Sequence, residues 1–177
     1  MKAAGTIICL LGLLFPACEE KVKPSVTPLE QTDTPDQESW NSTVTFSDSA
    51  KTRAVLWSGH IAMYTQRQYT LLSESVRVDF YNDLEQHTST LTARRGKVND
   101  VTRDFEAFGS VRVTSDSGTV LTTDSLFWSN QERRIYTDAF VDILSPTEHI
   151  MGHGLVSDQG LKNYRIARVT GQAVSQE

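Results

Sequence analysis

The chain is poor in the residues on which disulfide-stapled and fibrous proteins depend. Its 177 residues include only 2 cysteines, 5 prolines and 10 glycines. Two cysteines cannot form a disulfide scaffold, and this glycine and proline content excludes a collagen-like chain. Basic residues are also scarce, since 17 Lys and Arg stand against 22 Asp and Glu for a net charge of −5. That balance argues against a nucleic-acid partner, and the length fits about one globular domain.

Recognisable catalytic motifs are absent as well. The sequence has no G-x-S-x-G elbow, no phosphate loop and no dinucleotide fingerprint. His149 and His153 are four residues apart, but only Glu148 and Asp158 lie near them as further ligands, which is a weak basis for a zinc site. We therefore predict no metal and no cofactor, and the sequence shows no catalytic motif. An enzyme of unknown type on a β-scaffold stays open as an alternative.

The first 17 residues have the pattern of a secretory signal. Lys2 is their only charge, and residues 3–17 form an uncharged, mostly apolar run that is shorter than the ~20 residues a membrane-spanning helix needs. Residues 13–18, L-L-F-P-A-C, resemble a bacterial lipobox, which implies that Cys18 is acylated after cleavage. A plain secretory signal with an incidental cysteine is the alternative.

The segment that follows is predicted to be a linker. Residues 18–39 contain three of the five prolines and few apolar side chains, so they cannot bury enough surface to offset the entropy lost on ordering. We predict a signal peptide over residues 1–17, a lipidated Cys18 with a disordered linker to residue 39, a folded domain over residues 40–171 and a polar tail over residues 172–177.

Short alternating runs in the folded part predict an all-β domain. Val76, Val78 and Phe80 alternate with Arg77 and Asp79, which is the period of a half-buried strand. Such apolar rows fit either a sealed core or an open roll that accepts acyl chains, and the residues alone favour the sealed core. The inward-facing set is Val76, Val78, Phe80, Val111, Val113, Leu126, Trp128, Val141 and Ile143.

Two blocks of the sequence resemble a known group of proteins. Residues 105–128 resemble the OstA-type repeat of lipopolysaccharide transport proteins. The segment G-x-G-L-x-S-D at residues 152–158, followed by L-K-N-Y-R-I at residues 161–166, resembles the end of the LptC family. The resemblance covers most of residues 40–171. Its terminal motif includes Gly152, Gly154, Leu155, Asp158, Tyr164 and Ile166.

The resemblance implies a fold and a role. It implies a single twisted, open antiparallel β-jellyroll whose apolar groove, lined by the inward-facing set, binds lipopolysaccharide. Members receive lipopolysaccharide from the inner-membrane LptBFG transporter, pass it to LptA and are not enzymes. The terminal motif and the strand predicted over residues 161–170 would then form the docking edge for LptA. Cys18 takes the place of the usual transmembrane helix, which implies a lipid anchor at the periplasmic face of the inner membrane.

Two other assignments stay open. One is a soluble LptA-like bridging protein, against which the terminal motif and Cys18 both argue. The other is a structural outer-membrane lipoprotein without a ligand. Glu19 stands after Cys18, where an aspartate is often linked to retention in the inner membrane, so the sequence leaves the sorting between the two membranes open.

We predict that Cys18→Ala releases the protein into the soluble periplasmic fraction or leaves an uncleaved precursor, because acylation needs the thiol. Membrane fractionation and mass spectrometry of the N-terminus measure the outcome. Cys9→Ala, within the predicted signal, is the matched control and should leave anchoring intact. A mature N-terminus elsewhere, free of acyl groups, would contradict the prediction.

Overall fold

The computed structural model describes residues 34–174. The predicted signal peptide, Cys18, the linker up to residue 33 and residues 175–177 lie outside the described residues. The described chain forms ten strands and one short 3-10 helix, Thr65–Arg67. The strands are β1 Gln37–Asp48, β2 Lys51–Tyr64, β3 Tyr69–Tyr81, β4 His87–Ala93, β5 Arg95–Asn99, β6 Phe105–Ser115, β7 Val120–Ser129, β8 Arg134–Leu144, β9 Glu148–Asp158 and β10 Tyr164–Val174.

All ten strands belong to one antiparallel sheet in the order β1-β2-β3-β4-β6-β7-β8-β9-β10, with β5 also pairing with β3 and β6. This arrangement confirms the predicted all-β jellyroll. Strand structure begins at Gln37, three residues before the predicted start of the domain, because residues 37–40 pair with residues 60–63 of β2. It also continues to Val174, which pairs with Glu148 and so takes in part of the predicted tail. Residues 34–174 include no helix with the length and apolar character needed to cross a membrane.

A line of irregular residues crosses the whole sheet, and we call it the fold line. Along it the register shifts or a strand breaks, and β-bulges of this kind bend a strand sharply. Several of its residues have positive φ angles, among them Asn41 at 49°, Ser75 at 75° and Gly109 at 77°. The fold line consists of Asn41, Gly59, Glu74, Ser75, Arg94, Gly109, Ser110, Asp124, Asp138, Ala139, Gly154 and Ala167.

The fold line divides the sheet into two halves, which we name after the short strand in each. The β4 half holds β4 and the parts of the long strands that run beside it, and the β5 half holds β5 and the remaining parts. Their apolar faces pack against each other in a single hydrophobic core. The β4 half contributes Leu56, Val78, Leu91, Val113 and Ile143, and the β5 half contributes Ile61, Leu72, Phe105, Leu126 and Leu155.

Two glycines of β9 have geometric roles that a larger residue would disturb. Gly154 lies on the fold line with φ at 76°, a conformation that glycine adopts without steric cost. Gly152 lies two residues earlier in β9, beside β10, and a Cβ there would stand 2.4 Å from the carbonyl oxygen of Arg168. β9 and β10 therefore approach each other closely because no side chain intervenes.

We predict that Gly152→Ala destabilises the protein by about 1–3 kcal/mol, the usual cost of overpacking, because the new methyl group meets backbone atoms that cannot move freely. Urea denaturation followed by circular dichroism gives the free energy of unfolding. Gly160→Ala is the matched control, since a Cβ there has no neighbour closer than 3.6 Å. Equal stability of the two variants would show that β9 and β10 tolerate a wider spacing.

Candidate functional site

A cavity of about 700 Å³ lies between the two halves. Its floor is apolar, and Leu56, Val78 and Phe80 from the β4 half are at most 3% exposed there. Phe105 and Trp128 from the β5 half face them, and the ring centroids of Phe80 and Trp128 lie 5.3 Å apart. Its rim is polar and charged, with side chains from the turns that end the strands. The cavity therefore offers an apolar interior behind a charged entrance.

The structure separates the predicted groove residues into two groups. Val78, Phe80 and Trp128 line the cavity. The other six are buried in the closed core, where they pack between the halves away from the cavity: Val76, Val111, Val113, Leu126, Val141 and Ile143. Their side chains point inward, as the alternation predicts. They lie in a sealed core and not in an open groove.

The cavity also includes apolar residues that the sequence did not mark. Ala54 and Leu56 of β2 were missed because their neighbours Val55 and Trp57 are apolar too, so that segment shows no alternation. Phe46 follows the exposed Val44 in β1, and Val98 is the one large apolar residue of β5, so neither stands in a row of inward residues. The strand register, which pairs Phe46 with Ala54 and Ala54 with Phe80, connects Phe46 to a predicted inward residue.

The turn between β9 and β10, residues 159–163, closes one end of the sandwich, and we call it the closing turn. Leu161 is 1% exposed within the core and has φ at 53°. Its neighbours reach the opposite half, because the carbonyl oxygen of Gln159 accepts a hydrogen bond from Ser89 at 2.6 Å and that of Gly160 accepts one from Ser115 at 2.7 Å. The closing turn therefore ties the β5 half to the β4 half.

Asp158 shapes the closing turn. Its carboxylate accepts hydrogen bonds from the backbone N–H groups of Gly160, Lys162 and Asn163 at 3.0 to 3.1 Å, and from the side-chain amide of Asn163 at 2.8 Å. A carboxylate with this many donors holds the backbone in one conformation. The aspartate of the terminal motif thus acts within its own chain.

The remaining motif residues join β9 to β10 or fill the core. Leu155 is buried, and Ile166, which pairs with it, packs partly buried against the core. The Tyr164 hydroxyl donates a hydrogen bond of 2.6 Å to a carboxylate oxygen of Glu148. Burial, with this acceptor beside it, raises the pKa of Tyr164 to about 12.

The two histidines considered as metal ligands have other partners. His149 lies 2.7 Å from a carboxylate oxygen of Asp142, and the His153 ring packs edge-on against Phe140. Within residues 34–174, no three His, Cys, Asp or Glu side chains are grouped as a metal site requires.

A family model described as lipopolysaccharide-assembly, LptC-related matches residues 6–172. The chain belongs to the LptC family. The match covers the whole β-sandwich except its last strand residues, and it includes the terminal motif. A comparison with curated proteins gives no match.

Membership of the LptC family gives the chain its general role. It is a periplasmic component of lipopolysaccharide transport, in a family of transport components rather than of known enzymes. Lipopolysaccharide and other proteins of the transport system are its partners in general terms. An apolar cavity inside a β-jellyroll suits a protein that binds acylated molecules, because acyl chains placed in the cavity are removed from water.

The raised pKa of Tyr164 predicts a loss of stability in alkali. The folded state favours the neutral phenol, so this contribution is complete below pH 10, the ordinary range of tyrosine, and is lost as the pH approaches 12. We expect the free energy of unfolding to fall more steeply over this interval in the wild type than in Tyr164→Phe. Urea titrations at several pH values measure it. Tyr136→Phe, on the exposed surface, is the control and should follow the wild type.

Proposed function

We propose that this LptC-family protein is anchored to the inner membrane through Cys18, receives lipopolysaccharide from LptBFG and passes it to LptA. The cavity between the halves is the observation that carries the proposal. Its apolar floor shelters acyl chains, and each methylene kept from water contributes ~0.8 kcal/mol. The charged rim leaves the polar part of the glycolipid in solvent.

The two ends of the sheet supply the contacts to the neighbouring proteins. In the described chain β1 pairs only with β2, and β10 pairs only with β9, so each presents one side without a strand partner. An unpaired strand edge accepts a further strand through backbone hydrogen bonds. We assign the β10 edge to LptA and the β1 edge to the transporter. The apolar interiors of the three proteins would then form a continuous path for lipopolysaccharide.

The lipid anchor and the linker set the position of the domain. Cys18 precedes the first strand at Gln37 by 19 positions, and a proline-containing linker of this length reaches roughly 60 Å when extended. This reach lets the domain stand between the membrane and LptA while the acyl groups stay in the bilayer. The direction of transport then comes from the transporter, because a cavity of uniform affinity favours neither exit.

A photoreactive residue at Trp128 or Phe46, both partly buried beside the cavity, should crosslink to lipopolysaccharide. The yield should rise when the transporter is supplied with ATP, because loading is driven from the membrane. Arg112 on the outer surface of β6 is the matched control position and should give no lipid adduct. Equal labelling at all three positions would show that lipid does not enter the cavity.

The edge assignment is tested with a photoreactive residue at Val169 of β10, which is 52% exposed, and at Val44 of β1, which is 39% exposed. We expect Val169 to crosslink to LptA and Val44 to subunits of LptBFG, because each strand edge binds one neighbour. The two positions serve as controls for each other. The reverse pattern would overturn the assignment of the edges while leaving the cavity proposal standing.

A further inference from the structure

The cavity is small for the ligand that the proposed function gives it. A volume of about 700 Å³ suits a drug-sized molecule, whereas a glycolipid with several acyl chains is much larger. Entry of such a ligand therefore requires the rim to open. The charged contacts that join the two halves at the rim have to rearrange when it opens.

Four charged residues join the two halves at the rim, and we call them the rim cluster. Arg133, in the turn between β7 and β8, belongs to the β5 half, and Asp48, Arg53 and Asp83 belong to the β4 half. Arg133 lies 3.2 Å from an oxygen of Asp48 and 3.1 Å from an oxygen of Asp83. Arg53 also forms an ion pair with Asp83 and lies 3.8 Å from Asp48. All four residues line the cavity.

The geometry of the rim cluster brings two positive groups onto the same anions. Arg53 and Arg133 approach one and the same oxygen of Asp83, and one and the same oxygen of Asp48. Two guanidinium groups so arranged repel each other unless negative charge lies between them. Arg53, with Arg133 beside it, accordingly holds the pKa of Asp83 below its ordinary range.

Arg53 has a hydrogen-bond donor left over. Its Nε is the one buried side-chain nitrogen or oxygen in the described part of the chain that has no hydrogen-bond partner. A buried donor without an acceptor is uncommon in proteins. The two carboxylates thus satisfy the charge of Arg53 but not all of its donors.

We propose that Arg53 and Arg133 bind a phosphate group on the glycolipid headgroup, which takes the place of Asp48 and Asp83 at the rim. This inference rests on the proposed function, because it assigns the part of the same site that holds the headgroup. A phosphate offers three acceptor oxygens and carries about the charge of the two carboxylates on a single group, and the planar guanidinium matches it in a bidentate arrangement. It also supplies an acceptor for the unpaired donor of Arg53.

The two aspartates are weakly held. Their side chains and that of Arg133 are more than half exposed, and ion pairs between exposed groups add little to stability because water screens them. Once a phosphate binds both arginines, the two aspartates turn to solvent, and the phosphate lies between Arg53 of the β4 half and Arg133 of the β5 half. The closing turn, whose Gln159 lines the same cavity, keeps its own hydrogen bonds and continues to join the halves. The rim cluster thus exchanges its two carboxylates for the headgroup phosphate.

The test measures binding of the full-length mature protein to lipid A that carries its phosphates and to the same lipid A after enzymatic removal of the phosphates. We expect the wild type to bind the phosphorylated lipid at least tenfold more tightly. Arg133→Gln should reduce this preference to less than threefold without weakening the binding of the dephosphorylated lipid. Arg112→Gln, which removes one positive charge from the outer surface, is the control and should keep the full preference.

A second variant separates a phosphate site from a merely structural latch. Asp83→Asn removes the negative charge of a carboxylate that competes with the phosphate, and it should strengthen binding of the phosphorylated lipid about threefold. Thermal unfolding shows whether each variant is folded. If Arg133→Gln strengthens binding of both lipids equally, the rim cluster is a latch without a phosphate site and the inference fails. Binding of inorganic phosphate alone, with no preference between the two lipids, would overturn the lipid assignment. If the wild type binds neither lipid, the proposed function fails together with this inference.

Discussion

The sharp bend of every long strand at one line is the constraint on which the rest of the structure depends. A single sheet has one apolar face, and here that face is covered by the other half of the same sheet. The bend therefore has to occur at matching positions in successive strands, or the hydrogen-bonded register would be lost. Gly59 shows how tight this requirement is, since a Cβ there would stand 2.2 Å from the carbonyl oxygen of Glu74. The positions of the core, the cavity and the rim follow from the position of the fold line.

The direction of most side chains could be predicted from the sequence, because alternation along a strand is a local property. Val78, Val113 and Ile143 all face inward as their neighbours indicate. The fold line could not be predicted in this way, since its positions are matched only once the strand register is known. Leu161 escaped prediction for a related reason: it is a turn residue by sequence, and its burial depends on distant strands that receive the closing turn.

The candidate site was predicted in part, and the reason is physical. The same inward alternation produces a closed core where the halves touch and a cavity where they diverge, so Val141 and Phe80 have the same sequence pattern and different surroundings. The closing turn and the rim cluster join the halves through contacts between residues far apart in the chain. Arg133 and Asp48 are 85 positions apart in the chain, and no local pattern connects them.

The way in which the sheet covers itself has a mechanical consequence. The two halves of this sheet are joined covalently, because each long strand runs from one half into the other across the fold line. A change of the angle at the fold line would alter the separation of the halves, while the strand pairs within each half would keep their backbone hydrogen bonds.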